Sequence, residues 1–164
     1  DSLFTLALET IDKEVGPNKV NVYGNFFYFN TSMGFFEKRK ATKILKSILI
    51  KIPGIESISS KSELLKGKNS NIDIRLKNMV HSQKSPDIYL IPKKYWTWIY
   101  PSGASHGSPY DYDAHVPLIF ARAGQKAKVK SVRVKTVDVA PTVAKILKID
   151  FPKSINGKAL DLDE

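Results

Sequence analysis

The sequence predicts an α/β (α+β) protein: a small mixed sheet with covering helices, then the closing strands and helix of a larger α/β core. Three observations predict it. Residues 1–91 alternate helical and strand patterns three times over. Beyond them, an aromatic strand pattern, a glycine-containing loop and an apolar strand pattern lead into one more amphipathic helix. The hydrophobic share, 42%, is that of a globular domain. The chain therefore divides into a cap-like subdomain, 1–91, with helices on one face of its sheet, and a C-terminal part, 92–164.

The first helix is read from Phe4, Ala7, Leu8, Ile11 and Val15, which recur at helical spacing. Gly16-Pro17-Asn18 ends it, since proline cannot continue a helix and glycine accepts a left-handed conformation. Val20, Val22 and Tyr23, then Phe26 to Phe29 after Gly24-Asn25, predict a strand pair or a bulged strand whose aromatics belong to the core. A second helix near 35–51 carries Ala41, Ile44, Leu45 and Ile48 on one side and lysines on the other, and stops at Pro53-Gly54. Ile55 to Ser59 alternates apolar and polar residues, as a half-buried strand does. Residues 62–66 predict a helical turn, and Ile72, Leu76, Met79 and Val80 a third helix after Ser70. His81 falls at its end, where an imidazolium suits the helix dipole.

Asp87 to Ile91 reads as a strand and Pro92 as a turn. Tyr95 to Tyr100 reads as a second strand, with Trp96 and Trp98 on one side and Tyr95, Thr97 and Ile99 on the other. Val116 to Ala121 is expected as a buried strand, and Val129, Val132 and Val134 as a lysine-protected edge strand. Asp138 is expected to cap a last helix with Pro141 in its first turn and a buried face of Val139, Val143, Ile146 and Leu147.

Composition narrows the chemistry. The chain has no cysteine, so disulfides and thiolate zinc sites are excluded and a metal must use His, Asp or Glu. No apolar run approaches the roughly 20 residues that cross a bilayer. The net charge of +10 favours anionic partners, but the lysines are spread along the chain as on a solvated face. Nucleic-acid binding is therefore not the expectation. There are no internal repeats.

The candidate chemistry lies between Pro101 and His115. His106 stands between Ser105 and Gly107 in a loop of small and turn-forming residues, followed by Asp111, Asp113 and His115. An imidazole at such a turn is either a metal ligand or a solvated, hydrogen-bonded structural group. Asp111 and His115 have Asp-x-x-x-His spacing, but Val116-Pro117 disfavours a helix there. Ser105, Asp111, Asp113 and His115 are read as structural or supporting residues that shape the loop. Ser102, Ser105 and Ser108 lack the strand-to-helix elbow and partnered acid of an activated serine.

Ser105-His-Gly-Ser-Pro-Tyr-Asp-Tyr-Asp-Ala-His-Val-Pro-Leu-Ile-Phe120 resembles the last metal-ligand motif of the alkaline phosphatase superfamily, in its bacterial alkaline phosphatase and nucleotide pyrophosphatase/phosphodiesterase branch. Val137 to Ile149 and Ile155-Asn-Gly-Lys158 resemble the family's closing helix and the segment after it. The resemblance implies that His106 is a zinc ligand of a two-zinc site that acts on phosphate esters, in a periplasmic or secreted enzyme. The chain lacks the family's nucleophile and its Asp-His pair, so no catalytic residue is expected here. It is expected to be the C-terminal portion of a phosphomonoesterase or phosphodiesterase, inactive and without stably bound zinc when alone. Its orphaned strand faces predict self-association. The alternative is a non-catalytic basic α/β module that binds nucleic acid or an acidic partner.

Overall fold

The computed structural model describes residues 2–67, 70–97 and 106–162. Packing divides the chain into two compact units, one up to His115 and one from Val116 onward.

The first unit is built on a four-stranded sheet: β1 (Val20–Tyr23), β2 (Phe26–Phe29), β3 (Ile55–Ser60) and β4 (Ile88–Pro92), in the order β1-β2-β4-β3. The sheet expected as mixed is antiparallel at every pairing. Val20 faces Phe29 and Tyr23 faces Phe26 across the Gly24-Asn25 turn, so the hairpin fixes the first register.

Helices α1 (Ser2–Glu14) and α2 (Phe35–Leu49) cover one face. Their Ala7, Ile11, Ala41, Leu45 and Leu49 are buried against Phe27, Ile58, Ile88 and Leu90. Helices α3 (Lys61–Lys66) and α4 (Asn71–Met79) lie over the other face, where Leu64 and Leu76 meet Tyr89 and Ile91. The helices thus cover both faces, not the one expected. The cause is visible in β4: Ile88, Tyr89, Leu90 and Ile91 are all buried, so both faces of that strand require cover.

Short helices start where a side chain satisfies their first free N–H groups. Ser60 accepts from Glu63 N at 3.3 Å, and Glu63 accepts back from Ser60 N at 2.8 Å, a capping box that opens α3. Ser70 accepts from Asp73 N at 3.0 Å and opens α4. His81 lies past the end of α4, and its Nδ1 accepts from the Gln83 and Lys84 N–H groups. It therefore shapes a turn where a place at the helix dipole was expected.

In the second unit the principal regular element is α5 (Val139–Leu147), entered through a 3-10 turn, Thr136–Asp138. The two strands expected at 116–121 and 129–134 form no ladder among the described residues. Ile119 is 80% exposed and Val129 93%. An extended segment becomes a strand only when a neighbouring segment takes up its N–H and C=O groups in a regular ladder, and no such ladder forms among the described residues. The face expected to be buried on α5 is also out in solvent or only part-covered: Pro141, Thr142 and Ala144 are the buried residues. Asp138 does not cap α5 with its side chain. Its carboxylate turns instead to Lys135 N (2.9 Å) and Lys158 N (3.0 Å), while Thr142 Oγ1 accepts from Leu160 N (2.9 Å). These bonds fasten residues 157–160 along α5. Gly157 passes so close to Val137 that a Cβ there would overlap the Val137 carbonyl.

Candidate functional site

The loop with His106 is held between the end of β4, helix α4 and a short helical turn, Asp111–Ala114. β4 runs out at Pro92, and the chain turns at once: Lys93 N donates to Gly54 O (2.7 Å) and Trp96 N to Lys93 O (3.0 Å). Tyr95 takes a left-handed φ of 66°, costly for an aromatic residue. The strand expected at 95–100 is thus a turn at its beginning, and Trp98 and Ile99 lie outside the described residues. Trp96 packs its ring on Gly54.

Three tyrosines brace this turn against the loop. Tyr95 stacks on Tyr112 (centroids 4.9 Å apart, 20°), and Tyr112 on Tyr110 (5.7 Å, 18°). Tyr95 N donates to Tyr112 Oη at 3.0 Å, and Tyr110 Oη to Pro92 O at 2.7 Å. Burial pushes the Tyr110 phenol up, so it remains a donor throughout the neutral range.

Arg75 of α4 closes the arrangement. Its Nη1 donates to Pro109 O (2.7 Å), and its Nη2 pairs with Asp111 Oδ1 (2.5 Å). His115 N donates to Asp111 O (2.9 Å) and ends the short helix. Its side chain is exposed. Asp113 Oδ2 accepts from Ser108 N (2.8 Å). The Ser108 hydroxyl and backbone N–H hold the Asp113 carboxyl below the usual carboxylate range, and His106 adds a smaller push the same way. Only the N–H makes a bond of ordinary geometry; the buried hydroxyl lies beside the carboxylate without one.

His106 is exposed, and Gly107 after it has φ of 107°, a backbone that other residues adopt at a cost. The loop therefore presents one imidazole to solvent, with the Asp113 carboxylate near it. Ser105 lies outside the described residues, as does Ser102. Among the described residues no three His, Asp or Glu side chains gather as a metal site. The donor chemistry fits a single ligand, an imidazole beside a carboxylate, and the remaining ligands would have to come from elsewhere. Sequence reasoning missed Arg75, which lies 34 residues before Pro109 and has no local signature.

No family model matches the chain. Among curated relatives, alkaline phosphatase PhoK of Sphingomonas sp is 44% identical over 62 residues, covering 37% of this chain and 11% of the relative. A protein named calcium-transporting ATPase from Myroides odoratus is 33% identical over 120 residues, covering 71% of this chain and 21% of the relative. Three further relatives are named alkaline phosphatases. The crystal structure of wild-type alkaline phosphatase PafA superposes with a TM-score of 0.78 at 24% identity, over 98% of this chain and 32% of that one. The chain spans about a third or less of the length of each of these proteins.

Proposed function

We propose, from the premise that in sequence and fold the chain belongs to the alkaline phosphatase superfamily, that it is the C-terminal portion of a zinc-dependent phosphate-ester hydrolase and that His106 is a zinc ligand. The observation that carries this reading is the exposed imidazole on a loop braced by Arg75, Tyr110, Tyr112 and Asp113.

Zinc held in part by His106 would supply Lewis-acid polarisation of a phosphoryl oxygen. This chain's contribution is positional. His106 offers one nitrogen to the metal, and the loop contacts limit where that nitrogen points. The Asp113 carboxylate, ionised through the neutral range, favours a positive centre nearby. The nucleophile and the other ligands belong, on this reading, to polypeptide beyond this chain, and the protein works in the periplasm or is secreted. Among the described residues no helix is long and apolar enough to cross a membrane.

The test is His106→Ala in the intact protein that carries this chain, with zinc content and hydrolysis of an aryl phosphate monoester and diester measured together. The expected result is lower zinc occupancy and loss of most hydrolysis. Wild-type zinc content and turnover would overturn the assignment. The alternative of a basic binding module draws on fewer unpaired cations than the sequence implies: Lys40 pairs with Glu14 (2.8 Å) and Lys46 with Glu63 (2.6 Å) on the lysine face of α2.

A further inference from the structure

The geometry points to Arg75 as the positioning residue of the His106 loop, a role through which helix α4 sets the metal-ligand geometry. This rests on the assignment of His106 as a ligand, and deepens it.

Arg75 sits on α4, whose own place is fixed by Leu76, buried against Tyr89 and Ile91 at the sheet. The adjacent residue in sequence therefore leaves a packed element and reaches the loop. Its guanidinium makes two bonds at once, to the Pro109 carbonyl and to the Asp111 carboxylate. A planar fork with fixed N–H directions holds two acceptors in a set relation, which a lysine ammonium does not. Pro109 and Asp111 flank Tyr110, whose hydroxyl is anchored on Pro92 O. The two acceptors and the tyrosine thus pin the loop from α4 and from β4, three residues after His106 and onward.

The two bonds are unequal. Asp111 is 86% exposed in its side chain, so its ion pair is screened by water and weak. The bond to Pro109 O is part-buried, and a carbonyl left without its donor there loses more. The positioning is therefore assigned chiefly to the carbonyl contact. It follows that Arg75→Ala disturbs the loop more than Asp111→Ala does, whereas a charge pair acting alone would be broken equally by either change.

The test uses the intact protein, with two readouts. Amide hydrogen exchange is followed at residues 108–115, with β4 amides as the internal control for folding. Zinc affinity is measured by competition with a chromophoric chelator. Arg75→Ala is expected to speed exchange in the loop with β4 unchanged, and to weaken zinc by up to about tenfold, the low end of the loss when a group bonded directly to a ligand is removed, since Arg75 holds the loop and not His106 itself. Asp111→Ala is expected to fall between wild type and Arg75→Ala in both. Unchanged loop exchange and zinc affinity in Arg75→Ala would overturn the inference. Should Arg75→Ala also release β4, Arg75→Lys decides: faster loop exchange with β4 intact supports the role, and wild-type loop exchange overturns it. Failure of the underlying reading looks different, since His106→Ala would then keep wild-type zinc affinity while Arg75→Ala still loosens the loop.

Discussion

Asp138 is buried, and its two carboxylate oxygens take the N–H groups of Lys158 and Lys135. Those bonds, the one from Lys158 first, hold its carboxyl below the usual range against the opposing effect of burial. A depressed folded pKa stabilises the native state above the unfolded value, near 3.9 for Asp, and that contribution is lost as pH falls through the folded value. The second unit is therefore expected to loosen in acid below about pH 4. Glu14, Glu37 and Glu63 titrate in the same sense in the first unit, so the wild-type acid limb alone does not isolate Asp138. Asp138→Asn does: it should be less stable at neutral pH and lose less on acidification. Exchange of the Lys158 amide followed across the acid range checks this, and an identical acid dependence in both proteins would reject it. The sequence made Asp138 conspicuous as a helix-capping type before Pro141, but not what it caps. Its actual partner at Lys158 is 20 residues on, and no local pattern encodes so distant an N–H.

At the scale of elements, legibility followed locality. The helices and strands up to Ile91 are readable because each carries its own period, caps and turn residues, as at Ser60, Ser70 and the Gly24-Asn25 hairpin. Tyr95 to Tyr100 reads as a strand by composition, yet its first residues turn. The reason is tertiary: Lys93 bonds back to Gly54 and Trp96 lies over it. Gly54 is the hinge of that arrangement. It has φ of 90°, and a Cβ there would stand 2.3 Å from Trp96 Cε3. Gly54→Ala therefore combines backbone strain with displacement of the indole, and a loss of about 2–4 kcal/mol is expected. Since the Trp96 turn precedes the loop, Trp96 emission should also shift to the red in a variant that remains folded. Chemical denaturation followed by fluorescence reads both quantities. A midpoint and spectrum equal to wild type would show that the indole does not rest on Gly54. For the candidate site, His106 was singled out by the resemblance of its motif, its place in a turn leaving a structural role equally open, whereas the tyrosine stack and Arg75 had no signal, because they converge only after the sheet and α4 are in place.

Across the whole molecule, the two units differ in how their backbones are satisfied. In the first, strands pair and helices cover both faces, so most apolar residues of the sheet are buried. In the second, residues 116–134 run outside any helix or ladder and expose Val116, Ile119, Val129 and Val132. Exposed apolar residues in backbone outside any ladder are what a strand shows when its neighbours are absent, and the chain spans only about a third of the PafA chain it superposes on. This stretch also carries Arg122, Lys126, Lys128, Lys130 and Arg133, each exposed. Trypsin needs about ten residues of extended chain outside helices and ladders, the kind of segment that opens at little cost. Limited digestion of the 164-residue chain is therefore expected to cut first between residues 122 and 134, leaving a fragment that retains α1 to β4. In a longer protein whose strands flank these segments, the same bonds should resist. Mass spectrometry of the early products gives the order of cleavage. If the isolated chain instead yields first within α2, despite its lysines, or resists throughout 122–134 as a monomer, then the extended segments are already covered within the chain and need no partner strand.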